Sequence, residues 1–421
     1  MRQGPWRDAY NKLVSQGFRR ISLARWFIAA GGLALATVAA AYFATEARLI
    51  QNGPLFEALC SVHLCSDGLL AKRAADSQDP SEQLRLYRTL VKRDPASAYR
   101  WCDLGQTLLD QKRLPEAEQA FGRAQKLAPH VPAVLMRVAN AQLLLKKPQA
   151  AVPYMKSVLA MVREYDGAIF SSYERIGLSV EDIIRSALPD SAAPSYLEYL
   201  IETNQDAAAS LVWKRIGRRG VVGATLAASY TNYLISRGQD AAAARAWEGY
   251  WAGDERGGFK AGRALFNGSF ESEPSGSLLD WTIRPVEGAT TSRDTSVAAR
   301  GQTSLRIAFD GTKNVEFNHA TEVVWLKPGA YRLRGSIRTD ELSTDQGIRL
   351  RVFDPKNPAL VDASTNSVEG TGDWRTAECL FQVPPTTAHV MVLVVRRASE
   401  RIENKIRGTA WIDDVRIAPL Q

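Results

Sequence analysis

Few residues in this chain are spaced for catalysis. Its four histidines, His63, His130, His319 and His389, have no Cys, Ser or carboxylate at a recognisable catalytic spacing. No GxSxG, HExxH, phosphate loop or GxGxxG falls in a strand-turn-helix context. Carboxylate pairs that cleave glycosides meet in space rather than in sequence, so a glycosidase stays a minor alternative. The sequence therefore predicts a non-catalytic protein that requires no cofactor for chemistry.

Residues suited to binding are more plentiful. Along 331–339, Tyr331, Leu333 and Ile337 share one strand face, while Arg332, Arg334, Ser336 and Arg338 share the other. Along 348–353, Ile348, Leu350 and Val352 point in, and Arg349, Arg351 and Phe353 point out. A hairpin across 340–347 would gather Arg334, Arg338, Arg349 and Arg351 into one outer patch. Arginine grips carboxylates and sulfates through two parallel hydrogen bonds, and Phe353 or Trp325 can stack on a sugar ring. The competing account is a solvated sheet face whose charges deter edge aggregation. Trp374 and Trp411 are assigned to the core, where large aromatics are mostly found.

The elements that carry these residues begin with an N-terminal anchor. Residues 1–25 hold Arg2, Arg7, Lys12, Arg19, Arg20 and Arg25 against Asp8, most of the chain's net charge of +8. A basic patch so confined is a topology signal, and no nucleic-acid partner is expected. Residues 26–44, WFIAAGGLALATVAAAYFA, carry no charge. As a helix they would rise about 28 Å, enough to cross a hydrocarbon core. The positive-inside rule then places residues 1–25 in the cytoplasm and the bulk of the chain in the periplasm, on a single-pass inner-membrane anchor. The alternative is a cleaved signal peptide, cut near the small residues Ala39–Ala41. Residues 45–74 would form a juxtamembrane segment, where an oxidising compartment would allow Cys60 and Cys65 to pair. Cys102 and Cys379 sit in apolar settings and are expected as buried thiols.

The middle of the chain repeats itself. Pro95 and Pro129 bracket Trp101, Leu104, Gly105, Leu108, Ala117, Phe121 and Ala124 at a period of 34 residues. NQDAAASLVW from Asn204 and GQDAAAARAW from Gly238 show the same offset of 34. This spacing resembles the tetratricopeptide repeat, in which a helix bearing a bulky residue and Leu-Gly packs on a second helix bearing Ala and an aromatic. The resemblance implies a helical solenoid over ~75–257, opened by a half-repeat at 77–95 and broken in register by an extra helix near 166–189. It also implies envelope-protein partners. After a Gly-rich linker at 258–264 the hydrophobic period changes to two: SLRIAFD, YRLRGSIRTD, IRLRVFD and HVMVLVV read as strands of an antiparallel sandwich over 265–421.

Four segments of that sandwich, LFNGSFE (265–271), VVWLKPGAYRLRGSIRTD (323–340), GDWRTAECLFQVP (372–384) and AWIDDVRI (410–417), occur in an order that resembles the carbohydrate-binding modules of families four and nine. The resemblance implies a galactose-binding-like jelly roll and a polysaccharide ligand, for which Trp325, Arg334, Arg338, Arg349, Arg351 and Phe353 are the candidates. It also implies a structural calcium at Glu271 with Asp413 or Asp414, calcium favouring clustered oxygens; the alternative is that these acids hydrogen-bond to backbone at strand ends. Repeats plus a sugar-binding-like sandwich on a membrane anchor resemble proteins of bacterial exopolysaccharide systems, which implies an adaptor in glycan assembly or export. A protein scaffold with no sugar binding is the alternative.

Overall fold

The computed structural model describes Thr37 and residues 65–252 and 264–420. The basic tail, most of the 26–44 span, Cys60 and most of the expected linker lie outside them. Among the described residues no helix is long and apolar enough to cross a membrane. Cys65 is disulfide-bonded, while Cys102 and Cys379 are free thiols whose burial pushes both up to about 11.

The chain divides into two compact units, residues 1–162 and 163–421. Among its described residues the first contains three helical hairpins: α1 (Asp67–Asp76) with α2 (Pro80–Arg93), α3 (Ala98–Asp110) with α4 (Leu114–Leu127), and α5 (Pro132–Leu144) with α6 (Pro148–Leu159). Their boundaries follow from caps. The Ser66 side chain accepts from Leu69 N and that of Asp79 from Ser81 N, and proline opens α2, α4, α5 and α6. A Cβ on Gly105 would lie 2.8 Å from the Phe121 ring, so only glycine lets α3 and α4 close to this distance. Leu135, Val138, Ala151 and Met155, the weaker second repeat, are all buried. The opening element differs from expectation. Residues 67–76 are already helical, and Leu69, Leu70 and Ala74 pack on Leu86 and Leu90. The region thus opens with a full hairpin that begins ahead of residue 75; Tyr87 stands one period before Phe121, but Ala71 takes the place that Gly105 holds in the next repeat.

The second unit begins with α7 (Asp166–Arg175). A short helical turn (Val180–Asp182) then runs into a π-helical turn (Ile183–Ala187), where the register break was expected. Two more hairpins follow, α8 (Ala193–Glu202) with α9 (Asp206–Ile216) and α10 (Ala224–Ser236) with α11 (Asp240–Trp251). Four hairpin turns share one device. Lys112, Lys146, Asn204 and Gly238 occupy the left-handed region at φ 60, 59, 58 and 71°. The next N–H bonds back to the carbonyl five residues earlier, as from Arg113 to Leu108 and from Gln239 to Leu234. The 34-residue spacing within each pair of turns is the repeat period expressed in backbone geometry.

Among the described residues ten strands complete this unit: β1 (Thr282–Ile283), β2 (Ala289–Asp294), β3 (Ser304–Asp310), β4 (Phe317–Val324), β5 (Gly329–Leu342), β6 (Arg349–Phe353), β7 (Asp362–Ser364), β8 (Gly370–Val383), β9 (Val390–Arg396) and β10 (Arg407–Pro419). They form two antiparallel sheets, ordered β1-β4-β9-β6-β7 and β2-β3-β10-β5-β8. Inward residues such as Leu305, Ile307, Leu333, Ile337, Leu350, Val352, Val392 and Ile412 fill one core with Trp281 and Phe270. The hairpin expected across 340–347 does not form. The β5 strand pairs with β8 and β10, whereas β6 pairs with β7 and β9 in the opposite sheet. The connection carries positive φ at Glu341 and Thr344, and Ser343 N bonds to Arg407 O. It therefore crosses between sheets; alternation fixes which way a side chain points but not which strand lies beside it.

The last helical hairpin and the sandwich also join inside this unit, so the division between compact units falls well before the expected linker. The Thr231 and Ser277 hydroxyls lie 3.0 Å apart and buried, Asn232 donates to Gly276 O and accepts from Leu278 N, and Trp247 meets Phe266 edge-on at 5.3 Å. His389 Nδ1 lies 2.7 Å from Asp240 Oδ1, both groups nearly buried.

Candidate functional site

The outer face of the β5 sheet presents the clearest binding geometry. Along β10, Ala410 and Ile412 are fully buried in the core while Trp411 between them points outward and is half-buried. Register places Arg306 of β3 on one side of Trp411 and Arg338 of β5 on the other. The Arg338 guanidinium lies over the indole at 5.6 Å, and the indole Nε1 donates to Asp294 Oδ2 at 2.8 Å. The Asp294 carboxyl is held down at about 2, first by the Ser296 hydroxyl bond and also by the indole. The ring is thus fixed at one edge, with cations on both flanks. Further along the same face, Arg334 lies opposite Arg416 and Glu378, and Arg332 approaches Glu378 at 4.0 Å. No ion pair engages Arg306, Arg334 or Arg338 among the described residues, although Glu378 lies across from Arg334 and Asp294 beside the ring.

The expected four-arginine patch is split. Arg334 and Arg338 lie on this face; Arg349, Arg351 and Phe353 lie on the outer face of the opposite sheet. There, Arg351 makes two hydrogen bonds to Asp362, at 2.8 and 2.7 Å, and sits 4.7 Å over the Phe353 ring. Arg349 is half-buried and donates to Gln346 Oε1; burial lowers its pKa. Trp325 belongs to neither face: it follows β4 and lines a cavity beside α11. Sequence reasoning missed Trp411 and Arg306 because it assigned tryptophan by residue type. The alternation in AWIDDVRI, with Ala410 and Ile412 inward, contained the signal.

The acids of the expected calcium set tie down a loop instead. Glu271 accepts from Gln302 N at 2.8 Å, from Thr303 N and from the Thr303 hydroxyl. Asp413 accepts from Ala299 N, Arg300 N and Asp414 N at 2.6–2.8 Å. Asp414 is paired with Arg416 and, at 3.4 Å, with Arg300. Among the described residues no group of three or more His, Cys, Asp or Glu could hold a metal ion. The oxygens already face N–H donors and guanidinium groups, so this arrangement does not fit a calcium ion.

Within the sandwich, Glu322 is buried beside Asp280. One of its oxygens accepts from Phe266 N at 2.7 Å, and the other has no partner among the described residues. Burial first, then the Asp280 charge, raises its pKa well above the carboxylate range.

The helical region has a groove of its own. A depression of about 570 Å³ runs between α8 and α10, bordered by Arg163, Ser195, Glu198, Thr225 and Leu226. Arg163 spans its rim to Ser195 Oγ and Glu198.

A tetratricopeptide-repeat family model matches residues 69–132 and 102–169. Residues 69–169 therefore carry tetratricopeptide repeats. No curated protein matches the chain. Solved structures similar to the sandwich include the TmCBM61 module in complex with β-1,4-galactotriose, with 18% identity, coverage of 38% of this chain and 99% of that chain, and a TM-score of 0.27. The CBM22-1 xylan-binding domain of Paenibacillus barcinonensis Xyn10C matches at 13% identity over 36% of this chain and 92% of its own, with a TM-score of 0.26. A CBM4 structure matches at 17% identity over 37% of this chain and 99% of its own, with a TM-score of 0.27. Likeness at this level concerns fold, and the chemistry of the site rests on this chain's own residues.

Proposed function

We propose that this protein is a non-catalytic, membrane-anchored adaptor of the bacterial envelope, in which the helical repeats hold a partner protein and the sandwich binds an acidic polysaccharide during its assembly or export. The observation that carries the glycan assignment is Trp411, half-exposed between Arg306 and Arg338 on one outer sheet face. A sugar ring stacks on an indole, and flanking guanidiniums match carboxylate or sulfate substituents. The groove between α8 and α10 supplies a surface for the protein partner. The anchor assignment rests on the charge-free 26–44 span and the arginines before it.

Titrating the full-length protein with polygalacturonate, alginate and a neutral glucan at low and high salt tests the glycan assignment. Acidic polymers should bind modestly and lose affinity as salt rises, because the contacts are solvent-exposed. Salt-independent binding of the neutral glucan alone would overturn it. A reporter fused after residue 421 should be active in the periplasm only, with residues 1–44 retained in the mature protein.

A further inference from the structure

A second cavity, of about 330 Å³, lies where α11 meets the sandwich, well away from Trp411. We propose that it is a binding site for a short neutral oligosaccharide. Three parts of the second unit wall it: Glu248 on α11, Trp325 and Lys327 after β4, and Ile417 near the end of β10. Its volume lies at the lower end of small-molecule sites, which start near about 300 Å³. It thus suits a short oligosaccharide rather than a long run of polymer. The lining is mostly apolar, and Trp325 is half-exposed, which offers a ring face for stacking. Tyr331, on the same wall, spends its hydroxyl on Lys327 O at 2.8 Å and so presents only its ring.

The charges decide the ligand class. Glu322, also in the lining, is buried, and that burial raises its pKa well above the carboxylate range, whereas Glu248 and Lys327 are exposed, opposite in sign, and form no ion pair among the described residues. Their charges cancel across the cavity, so it does not select an ionic ligand. One supplies acceptors and the other donors, which a neutral ligand with several hydroxyls satisfies together. A pyranoside fits both demands, with an apolar C–H face for Trp325 and hydroxyls for the two charged ends. The Trp411 face differs, since both cross-strand neighbours of that ring are cations. The site also depends on the helical region, since α11 forms one wall; the sandwich alone would present it incomplete.

The test is calorimetric titration of the full-length protein with maltose, cellobiose, xylobiose and lactose, at low and high salt. At least one should bind independently of salt. Trp325→Ala should weaken it tenfold or more and Lys327→Ala several-fold, while Trp411→Ala leaves it unchanged. Should Trp325→Ala fail to fold, the exposed Glu248→Gln provides a second variant, expected to weaken binding several-fold. Absence of binding to all four disaccharides, or binding untouched by the folded variants, overturns the proposal. So does 1-naphthol binding in place of the sugars with an affinity indifferent to Glu248 and Lys327, since that marks a merely greasy pocket. Failure of the acidic-glycan assignment is distinguishable: polyuronates would not bind while a disaccharide still does.

Discussion

The two outer faces of the sandwich carry the same residue types and put them to different ends. On one, Arg338 lies over Trp411 with no carboxylate partner among the described residues, and Arg306 flanks the other side of the ring. On the other, Arg351 lies over Phe353 but is clamped by Asp362. A cation already satisfied within the protein has little to offer a ligand. Residue type and exposure alone would have scored these two faces alike. The carboxylate one strand away separates them.

The largest expected effect is on binding. Trp411→Ala should cost about 2 kcal/mol of affinity for an acidic glycan, roughly thirtyfold, the scale of a buried aromatic anchor. Phe353→Ala should change it less than twofold. Equal losses from both variants would remove the distinction between the faces.

A smaller effect separates the arginines. Arg306→Ala and Arg338→Ala should each weaken binding several-fold and flatten its salt dependence, as expected when exposed charges contact an anion. Arg351→Ala should leave binding unchanged and lower stability by ~0.2–1 kcal/mol, the worth of an exposed pair with Asp362. Chemical denaturation and titration of the same variants would read both.

Between the two faces, the core has its own pH dependence. Glu322 has its pKa raised by burial, so its contribution to stability is complete below the ordinary carboxylate value of 4.5 and is lost as pH rises toward the elevated folded value. Glu322→Gln keeps an acceptor for Phe266 N and cannot ionise. The variant should be more stable than wild type at pH 8, with the advantage shrinking toward pH 4. A constant difference across that range would show that Glu322 does not titrate on unfolding.

Much of this architecture is legible in the sequence, for identifiable reasons. Gly105, Ala117 and Phe121 recur at a helical-hairpin spacing because two helices must approach closely there, and the Phe121 ring does fill the space a Cβ would need. The strand SLRIAFD was legible because inward and outward residues alternate, and β3 spans those residues. Three features were hidden, two of them by long-range pairing. The neighbours of β5 are β8 and β10, the latter some 70 residues on, and no local pattern announces that choice. The Asp240–His389 contact joins residues 149 apart. Trp411 was hidden differently, because a preference of residue type was allowed to outweigh the alternation of its own strand.

The smallest expected effect concerns metal, and it bears on the Trp411 face alone. Glu271, Asp413 and Asp414 gather beside the loop that ends in Thr303, and Asp413 and Asp414 follow Trp411 on β10, so a cation there would brace that face and not its counterpart. A calcium ion bound at a hundredfold excess over its Kd would stabilise the fold by about 2.7 kcal/mol. In a unit of this size that amounts to roughly 5–10 °C in Tm. Against this stand the hydrogen bonds already in place: three backbone N–H groups on Asp413, two on Glu271, and two guanidiniums on Asp414. A cation entering would have to turn those donors away, and Arg300 and Arg416 already supply positive charge. Thermal melts with excess calcium and with a chelator should therefore coincide within about 1 °C, well below the shift that linkage would give a bound ion. A rise of several degrees with calcium, abolished by Asp413→Ala but not by Asp362→Ala, would mean that the amide donors give way to the ion and that the Trp411 face is metal-braced.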